Sequence, residues 1–280
     1  MDIGFIGAGK VGISLGRYLK EHRMHITGYY SRSPVSAREA AEFTDSKDYQ
    51  SIDELVDESE VIFLTVPDGQ IEGVWEQMKR LPVAGKIICH CSGALSSAVF
   101  SEISQREAFG YSIHPLLAVS DRFQSYRELS QACFTIEGAE EKLGEVAGLI
   151  RLCGNPVEII NPAVKPKYHA AAVMASNLVV ALSHMAETLL AECGFSQENA
   201  ARALLPLFFG NAKAVAEKGA REALTGPVER GDVNTVEQHM ALLTGAEREI
   251  YRLLSQQAAA IAEEKHPERD YDEMKRRLTK

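Results

Sequence analysis

The sequence lacks the marks of several protein classes. It has no residue set with the spacing of a zinc site and no Gly-x-Ser-x-Gly segment, so neither a metal hydrolase nor a serine hydrolase is expected. No run of lysine and arginine is long enough to follow a phosphate backbone, and the net charge is −9. No segment reaches the roughly 20 uninterrupted apolar residues that span a bilayer. We therefore expect no metal, nucleic-acid or membrane partner.

Cysteine usage and the N-terminus favour a cytoplasmic protein. The five cysteines are odd in number and form no Cys-x-x-Cys pair, so free thiols in a reducing compartment are expected. The chain opens directly on a strand pattern, without the basic leader and apolar core of a signal peptide. Its 280 residues fit two domains better than one, because single cores rarely grow beyond about 250 residues.

The chain changes character near residue 161. Over residues 1–161, short apolar runs such as Val61–Val66 alternate with amphipathic stretches, which predicts an α/β Rossmann domain with a mostly parallel, doubly wound sheet. Residues 162–280 show no strand pattern and are predicted to form an all-α domain. We expect its helices over Pro166–Cys193, over Gln197–Lys218 with a kink or break at Pro206, after a capping Asn234, and from about Gly245 to Glu264.

A glycine-rich motif joins the first strand to the first helix. Gly7 is expected to make the tight turn, Gly9 to let a pyrophosphate approach the backbone, and Gly12 to let the helix pack closely on the strand. The unpaired N–H groups and positive dipole end of that helix attract phosphate. The segment Gly7, Ala8, Gly9, Lys10, Val11 and Gly12 is therefore predicted to bind a dinucleotide.

The end of the second strand favours NADP(H) over NAD. An NAD-binding protein usually places an acidic residue there for the ribose 2′-hydroxyl, whereas this chain has Ser31, Arg32 and Ser33. A guanidinium can pair with a 2′-phosphate, and the serine hydroxyls can donate to it. Val66 and Pro67 are predicted to pass beside the cofactor, while Asp68 either caps the next helix or joins the cofactor site.

Polar residues at the ends of later strands are candidates for catalysis. Ser92 follows the fifth strand and could bind the cofactor and a substrate near it, or simply hold a turn. His114 ends the next strand at the same edge. In the first helix of the second domain, His169, Ser176 and Asn177 are expected on one face, with Lys167 near them. The alternative is that these groups make hydrogen bonds inside a core.

The loop Leu224–Asp232, which contains glycine and proline, holds the candidate substrate-binding residues. Arg230 could clamp the carboxylate of an anionic substrate, with Thr225 and Asp232 beside it. The alternative is an ordinary surface turn in which Asp232 caps a helix.

Four motifs together give a resemblance that spans both domains. They are Ile6–Gly12, Ser112–Leu116, Tyr168–Asn177 and Leu224–Asp232. The chain resembles the family that joins a Rossmann-like NADP domain to a helical domain of unknown function 2520, and more distantly the 6-phosphogluconate-dehydrogenase-like superfamily. The resemblance implies an active site between the domains and a homodimer through the helical domain. The resemblance implies a catalytic lysine and asparagine four residues apart, as β-hydroxyacid dehydrogenases of that superfamily have. Lys167 and Asn177 are the nearest candidates here, but they lie ten residues apart. The alternatives are that His169 has taken over their role or that the chain has no such pair. His114-Pro115 is similar to the His-Pro pair of prephenate dehydrogenases.

These patterns predict an NADP(H)-dependent oxidoreductase that reduces a small, anionic carbonyl or imine compound, for instance a keto acid such as ketopantoate. His114 or His169 would donate the proton, Asn177 would orient the substrate, and Arg230 would hold its charge. Two alternatives stay open: a non-catalytic NADP-binding sensor or regulatory protein, and a deazaflavin:NADP reductase.

Overall fold

The computed structural model describes residues 1–279. The chain folds as two compact units, Met1–Asn177 and the part that begins at Leu178. This division lies later than the domain boundary predicted at residues 161 and 162. The helix Lys165–Ala175 falls in the first unit because its Lys165 and Tyr168 side chains hydrogen-bond to the sheet's strands and the loop after one of them.

An eight-stranded sheet forms the centre of the first unit. The strands are β1 (Asp2–Ile6), β2 (His25–Tyr30), β3 (Lys47–Asp48), β4 (Val61–Leu64), β5 (Ile87–His90), β6 (Phe109–Pro115), β7 (Phe134–Gly138) and β8 (Val157–Ile159). The helices are α1 (Lys10–Glu21), α2 (Pro34–Thr44), α3 (Ile52–Glu58), α4 (Asp68–Met78), α5 (Leu143–Arg151) and α6 (Lys165–Ala175). The predicted α/β class is confirmed; the short strand β3 was not predicted.

The strand order is β3-β2-β1-β4-β5-β6-β7-β8, and every neighbouring pair is parallel except β6 and β7. Side chains alternate along each strand, so the buried residues form a separate cluster on each face. Phe5 stacks on Phe63 in one cluster, and Trp75 meets Phe100 edge to face in the other. Both faces are thus covered, as an open parallel sheet requires.

The second unit is helical, and the described residues after Ile159 contain no strand. Its helices are α7 (Asn177–Glu192, whose first residue still belongs to the first unit), α8 (Gln197–Ala223), α9 (Pro227–Arg230), α10 (Val233–Leu242), α11 (Gly245–Lys265) and α12 (Asp272–Thr279). The last of these was not predicted. A small core forms around Val236, Ala259 and Leu278.

Several predictions about the helices were wrong. The helix expected over Pro166–Cys193 is broken at Ser176, whose backbone leaves helical geometry at φ −129° and ψ −84°. Pro206 lies within α8 and does not break it. The non-helical residue of α8 is Gly219, at φ 79°, directly after the predicted helix end at Lys218. The cap of α10 is Asp232, which accepts from the Thr235 amide at 3.1 Å, and not Asn234. At α10, the hydrogen bond from the Thr235 amide to Asp232 outweighs the capping pattern that begins at Asn234.

The helices α7 and α8 expose much apolar surface. No residue of α7 is buried, and α8 buries only Ala200. By length and composition alone, the helical stretch Pro162–Glu192 meets the criterion for a membrane span, with a mean hydropathy of 1.4. This is weak evidence, because helices that pack against protein satisfy the same test, and the expected lack of a membrane partner stays a prediction.

Candidate functional site

A cavity of about 500 Å³ opens at the carboxyl ends of β1, β2 and β4. It begins at the glycine-rich loop, passes the segment after β2 and reaches one face of α4. Its lining includes Gly7, Ala8, Gly9, Ser31, Arg32, Val66 and Pro67 of the predicted cofactor residues, together with Ser36, Ile52, Gln70, Gly73, Val74 and Gln77. Lys10, Val11, Gly12, Ser33 and Asp68 are not part of the lining.

The backbone of the glycine-rich loop suits an anion. Gly7 has a φ of 112°, which side-chain-bearing residues rarely adopt, and its amide donates to the Tyr30 carbonyl at 2.8 Å. Gly9 is the N-cap of α1, and no side chain caps that helix. The first amides of α1 are therefore open to an incoming phosphate.

A second anion-binding feature lies at the start of α2. Arg32 is exposed, forms no ion pair with any residue in 1–279, and lines the cavity beside Ser31 and Ser36. Ser33 caps α2 by accepting from the Ser36 amide at 3.3 Å. A guanidinium and hydroxyls next to a helix N-terminus match the chemistry of a 2′-phosphate.

Ser92 and Asp68 interact at the ends of β5 and β4. The Ser92 hydroxyl donates to Asp68 Oδ2 at 2.7 Å and accepts from the amides of Leu95 and Ala94 at 2.9 and 3.2 Å. Ser92 is thus a turn serine whose proton is already engaged, and it has no free donor for a substrate. Asp68 is the first residue of α4, after the N-cap residue Pro67, and not its side-chain cap.

Lys165 is buried behind this turn, with only 1% of its surface exposed. Its ammonium donates to the Ser92 carbonyl at 2.8 Å and to Ser112 Oγ at 2.5 Å. Burial lowers the pKa of Lys165, while the negative charges of Glu137 and Asp68 oppose that shift. A cation is therefore held directly beneath the carboxyl ends of β5 and β6.

His114 lies next to this cation, at the end of β6. Its Nδ1 is 2.7 Å from the Tyr168 hydroxyl, and its ring centroid is 6.3 Å from that of His169. Burial, together with the smaller effects of the Lys165 and His169 charges, lowers the pKa of His114 to about 4. Burial also raises the pKa of Tyr168. At neutral pH the pair is therefore a neutral imidazole and a neutral phenol.

The structure brings together only part of the predicted catalytic set. His114, His169 and Ser92 lie in one region, whereas Lys167 and Asn177 are exposed and form no hydrogen bond with these residues within the described chain. Their catalytic roles stay predictions. Asn177 was expected on the face of His169, but the break at Ser176 ends that face. Lys165, Tyr168 and His90 were missed. The spacing of four between Lys165 and His169 was the signal that could have identified the lysine.

The predicted substrate anchors all belong to the second unit. Arg230 ends α9 and is exposed, as is Thr225. Asp232 caps α10 and also accepts from the Thr235 hydroxyl at 2.7 Å. Its capping role therefore agrees with the alternative interpretation, and the substrate-binding role of this loop stays a prediction.

The comparisons with known proteins follow this division of the chain. Residues 1–115 match the Rossmann-like domain, and residues 132–258 match a domain of unknown function, DUF2520. By fold and strand order the protein is Rossmann-like. More particularly, it combines a match to a Rossmann-like domain in its N-terminal part with a match to DUF2520 in its C-terminal part. No curated protein is significantly similar to it.

Solved structures share the fold over nearly the whole chain. Protein TM1727 from Thermotoga maritima is 27% identical, with a TM-score of 0.75, and the match covers 94% of this chain and 99% of that one. Protein BF3122 from Bacteroides fragilis, which is named provisionally as an NADP oxidoreductase, is 23% identical, with a TM-score of 0.69. The match covers 92% of this chain and 98% of that one. The NADP-bound pyrroline carboxylate reductase of Plasmodium falciparum is 15% identical, with a TM-score of 0.60, and the match covers 95% of this chain and 97% of that one. The fold is thus one that NADP-dependent reductases use.

Proposed function

We propose that this protein is an NADP(H)-dependent oxidoreductase that reduces a small carbonyl or imine compound. One observation carries the proposal: a single cavity is lined both by the loop Gly7–Gly9 at the N-terminus of α1 and by Arg32, which forms no ion pair within residues 1–279. These are the anion sites that the pyrophosphate and the 2′-phosphate of NADP(H) need, and no acidic residue follows β2. The likeness in fold to an NADP-bound reductase adds support.

The residues of the chain have distinct tasks in this proposal. When bound, NADPH supplies the hydride for the reduction. The loop Gly7–Gly9 and the first amides of α1 hold its pyrophosphate, and Arg32 holds its 2′-phosphate. His114 and His169, at the carboxyl end of β6 and on α6, supply hydrogen-bond donors and the proton for the reduced substrate.

Removal of Arg32 tests the cofactor assignment. A charge-assisted hydrogen bond contributes about 1.5–3 kcal/mol, so Arg32→Ala should weaken NADPH binding by roughly 10- to 150-fold, whereas NADH binding changes by less than about threefold. The matched control is Arg38→Ala, because Arg38 is also exposed, lies on α2 and does not line the cavity. Fluorescence titration with each cofactor measures both effects. Equal loss of NADPH and NADH binding would contradict a phosphate-specific role.

Turnover separates the enzyme from a non-catalytic sensor. NADPH oxidation is followed at its nicotinamide absorbance against a panel of keto acids, aldehydes and cyclic imines. Turnover of one compound that His114→Gln or His169→Gln abolishes, with NADPH binding retained, is the result that the proposal predicts. Tight NADPH binding without turnover of any compound would favour a sensor.

We also propose that a second copy of this chain covers the exposed faces of α7 and α8. These helices expose Leu178, Val180, Leu182, Leu205, Leu207, Phe208 and Phe209, more apolar surface than a soluble monomer usually leaves in water. Charged residues such as Glu187 and Glu192 occur within the same α7 helix, which suits a protein partner better than lipid.

A further inference from the structure

Arg122 contacts both elements that supply the anion-binding residues of the cavity, although it does not line the cavity itself. It lies in the segment that follows β6, and its guanidinium donates through Nη2 to the Ala8 carbonyl at 3.3 Å. Through Nη1 it pairs with Glu39 Oε2 at 2.9 Å. Ala8 belongs to the glycine-rich loop, and Glu39 lies on α2, the helix that begins beside Arg32. One side chain therefore joins the loop to that helix.

The segment that carries Arg122 is itself attached to α1. The buried Ser14 hydroxyl, on α1, lies 3.3 Å from the carbonyl oxygens of Asp121 and Arg122 and can donate to either. Asp121 Oδ1 accepts from the amides of Phe123 and Gln124 at 2.7 and 2.9 Å, which closes a tight turn. The Arg122 guanidinium also lies 5.1 Å from the centroid of the Phe123 ring. The backbone and the guanidinium of Arg122 are thus both held in place.

The contact with the Ala8 carbonyl fixes the direction of the next amide. A trans peptide is planar, so its C=O and N–H bonds point in opposite directions, and every peptide within residues 1–279 is trans. Because the Ala8 carbonyl points to Arg122, the Gly9 N–H points away from the guanidinium. Gly9 is exposed and lines the cavity, and its amide forms no hydrogen bond within the described residues. This amide is therefore free to donate to a ligand in the cavity.

We propose that Arg122 is a positioning residue: it holds the Ala8 carbonyl and thereby turns the Gly9 amide towards the diphosphate of the bound cofactor. The inference rests on the proposed function, since it requires that the cavity binds NADP(H). It adds to the cofactor site a residue that lies 114 positions after Ala8 and outside the glycine-rich motif.

Arg122 acts by orientation rather than by its positive charge. Glu39 lies against the same guanidinium and neutralises it. The two side chains are 30% and 44% exposed, and an ion pair of this kind contributes little to stability. Removal of the guanidinium should therefore leave the fold intact but allow the Ala8–Gly9 peptide to rotate. A rotated peptide would present to the diphosphate a carbonyl oxygen, which repels it, in place of an N–H donor.

Two half-cofactors test the diphosphate and the 2′-phosphate separately. Adenosine diphosphate carries the diphosphate, and adenosine 2′-phosphate carries the phosphate assigned to Arg32. Arg122→Gln should weaken binding of adenosine diphosphate about tenfold, the effect of one lost hydrogen bond to a charged group, and binding of adenosine 2′-phosphate less than about twofold. Arg32→Ala should show the reverse. Isothermal titration calorimetry measures both affinities. Equal losses for the two ligands in Arg122→Gln, or no loss for either, would overturn the positioning role.

Arg127→Gln is the matched control. Arg127 lies in the same segment and likewise stacks on an aromatic ring, with its guanidinium carbon 5.4 Å from the centroid of Tyr126. Its side chain donates to Tyr126 and Gln124, and within the part of the chain that the structure describes it forms no hydrogen bond with the glycine-rich loop or α2. This variant should bind both half-cofactors as the wild type does. Urea unfolding should give it and Arg122→Gln similar midpoints. A lower midpoint for Arg122→Gln, with loss of both ligands, would make the role of Arg122 merely structural.

The Gly9 amide gives a spectroscopic signature of the positioning role. In ¹⁵N-labelled protein its resonance, assigned with Gly9→Ala, should move to lower field when adenosine diphosphate binds, whereas adenosine 2′-phosphate should leave it in place. At saturating adenosine diphosphate this shift should be lost in Arg122→Gln and retained in Arg127→Gln. A Gly9 resonance that bound adenosine diphosphate does not move in the wild type, or moves equally in Arg122→Gln, would overturn the inference.

Failure of this inference and failure of the proposed function give different results. Arg122→Gln should weaken NADPH and NADH binding by the same factor, because both cofactors contain the diphosphate, whereas Arg32→Ala affects NADPH alone. A wild type that binds NADPH and adenosine diphosphate, with Arg122→Gln unchanged in both, would refute the positioning role but keep the cofactor site. A wild type that binds neither NADPH nor either half-cofactor would refute the proposed function itself.

Discussion

The glycine-rich loop allows stability and cofactor binding to be tested separately, because Gly9 and Gly12 have different surroundings. A Cβ on Gly12 would clash with the Gly7 carbonyl oxygen and with Thr65 Oγ1, so α1 would have to move. A Cβ on Gly9 would meet only the Thr65 carbonyl oxygen, at 3.9 Å, and its φ of −84° is ordinary. We therefore expect Gly12→Ala to lower the stability of the protein, and Gly9→Ala to weaken cofactor binding without lowering stability.

Gly12→Ala should destabilise the first unit by about 3 kcal/mol, the upper end of the usual overpacking range, because one clash is with backbone. Gly9→Ala should leave the free energy of unfolding unchanged or raise it by about 0.4–1 kcal/mol, since alanine restricts the unfolded chain more than glycine. Its methyl group would nevertheless stand between the pyrophosphate and the loop. We expect NADPH binding to weaken at least about tenfold, or roughly 1.4 kcal/mol.

Urea unfolding measures the free energy of unfolding of each variant. The only tryptophan, Trp75, is fully buried in the first unit and reports unfolding by its fluorescence. NADPH titration of the folded variants measures cofactor binding. Wild-type NADPH binding by Gly9→Ala would refute the assignment of this loop to the pyrophosphate. Wild-type stability of Gly12→Ala would refute the close packing of α1 on the loop.

Two further predictions concern pH and assembly. Burial lowers the pKa of His90 to about 4 from 6.5, so its contribution to stability is complete above pH 6.5 and is lost as the pH falls towards 4, by about 1.4 kcal/mol per pH unit. Urea unfolding between pH 6.5 and 4.5 should show that the stability of His90→Gln depends on pH less steeply than that of the wild type, by one proton. Equal pH dependence of the two proteins would contradict a buried neutral His90. In sedimentation equilibrium the chain should behave as a dimer that Val180→Glu weakens at least tenfold, while Val35→Glu, similarly exposed on α2, has no effect. A monomeric wild type would contradict the proposed interface.

The Rossmann unit could be predicted because its signals are local. The run Val61–Val66 reports burial on both faces, and the strand–turn–helix context of Gly7–Gly12 makes that glycine pattern specific. As predicted, a strand and a helix flank the motif, and they are β1 at Asp2–Ile6 and α1 at Lys10–Glu21. The helix bounds after residue 161 were harder to predict from the sequence. Neither glycine nor proline marks the break at Ser176, so no local signal warned that Asn177 would leave the face of His169.

Lys165 shows a different limit of sequence reasoning. Lysine is almost never fully buried, so the exposed Lys167 was the more natural candidate. Burial of Lys165 becomes understandable only from the fold, because its acceptors, the Ser92 carbonyl and Ser112 Oγ, come from the loop after β5 and from β6. The register that pairs His90 with Ser112 brings these two acceptors together. A lone lysine in the sequence gives no indication of such partners.

The arrangement around His114 depends on the one strand pair that departs from the parallel order. Had β7 run parallel to β6, its neighbours at the carboxyl end would be different residues, and Thr135 would not lie opposite His114. The antiparallel register pairs Thr135 with His114, and α6 brings the Tyr168 hydroxyl to 2.7 Å from His114 Nδ1. The sequence motif Ser112–Leu116 could thus identify His114 as a candidate, but not its contact with Tyr168. That contact joins β6 to α6, two elements distant in sequence, so only the fold reveals it.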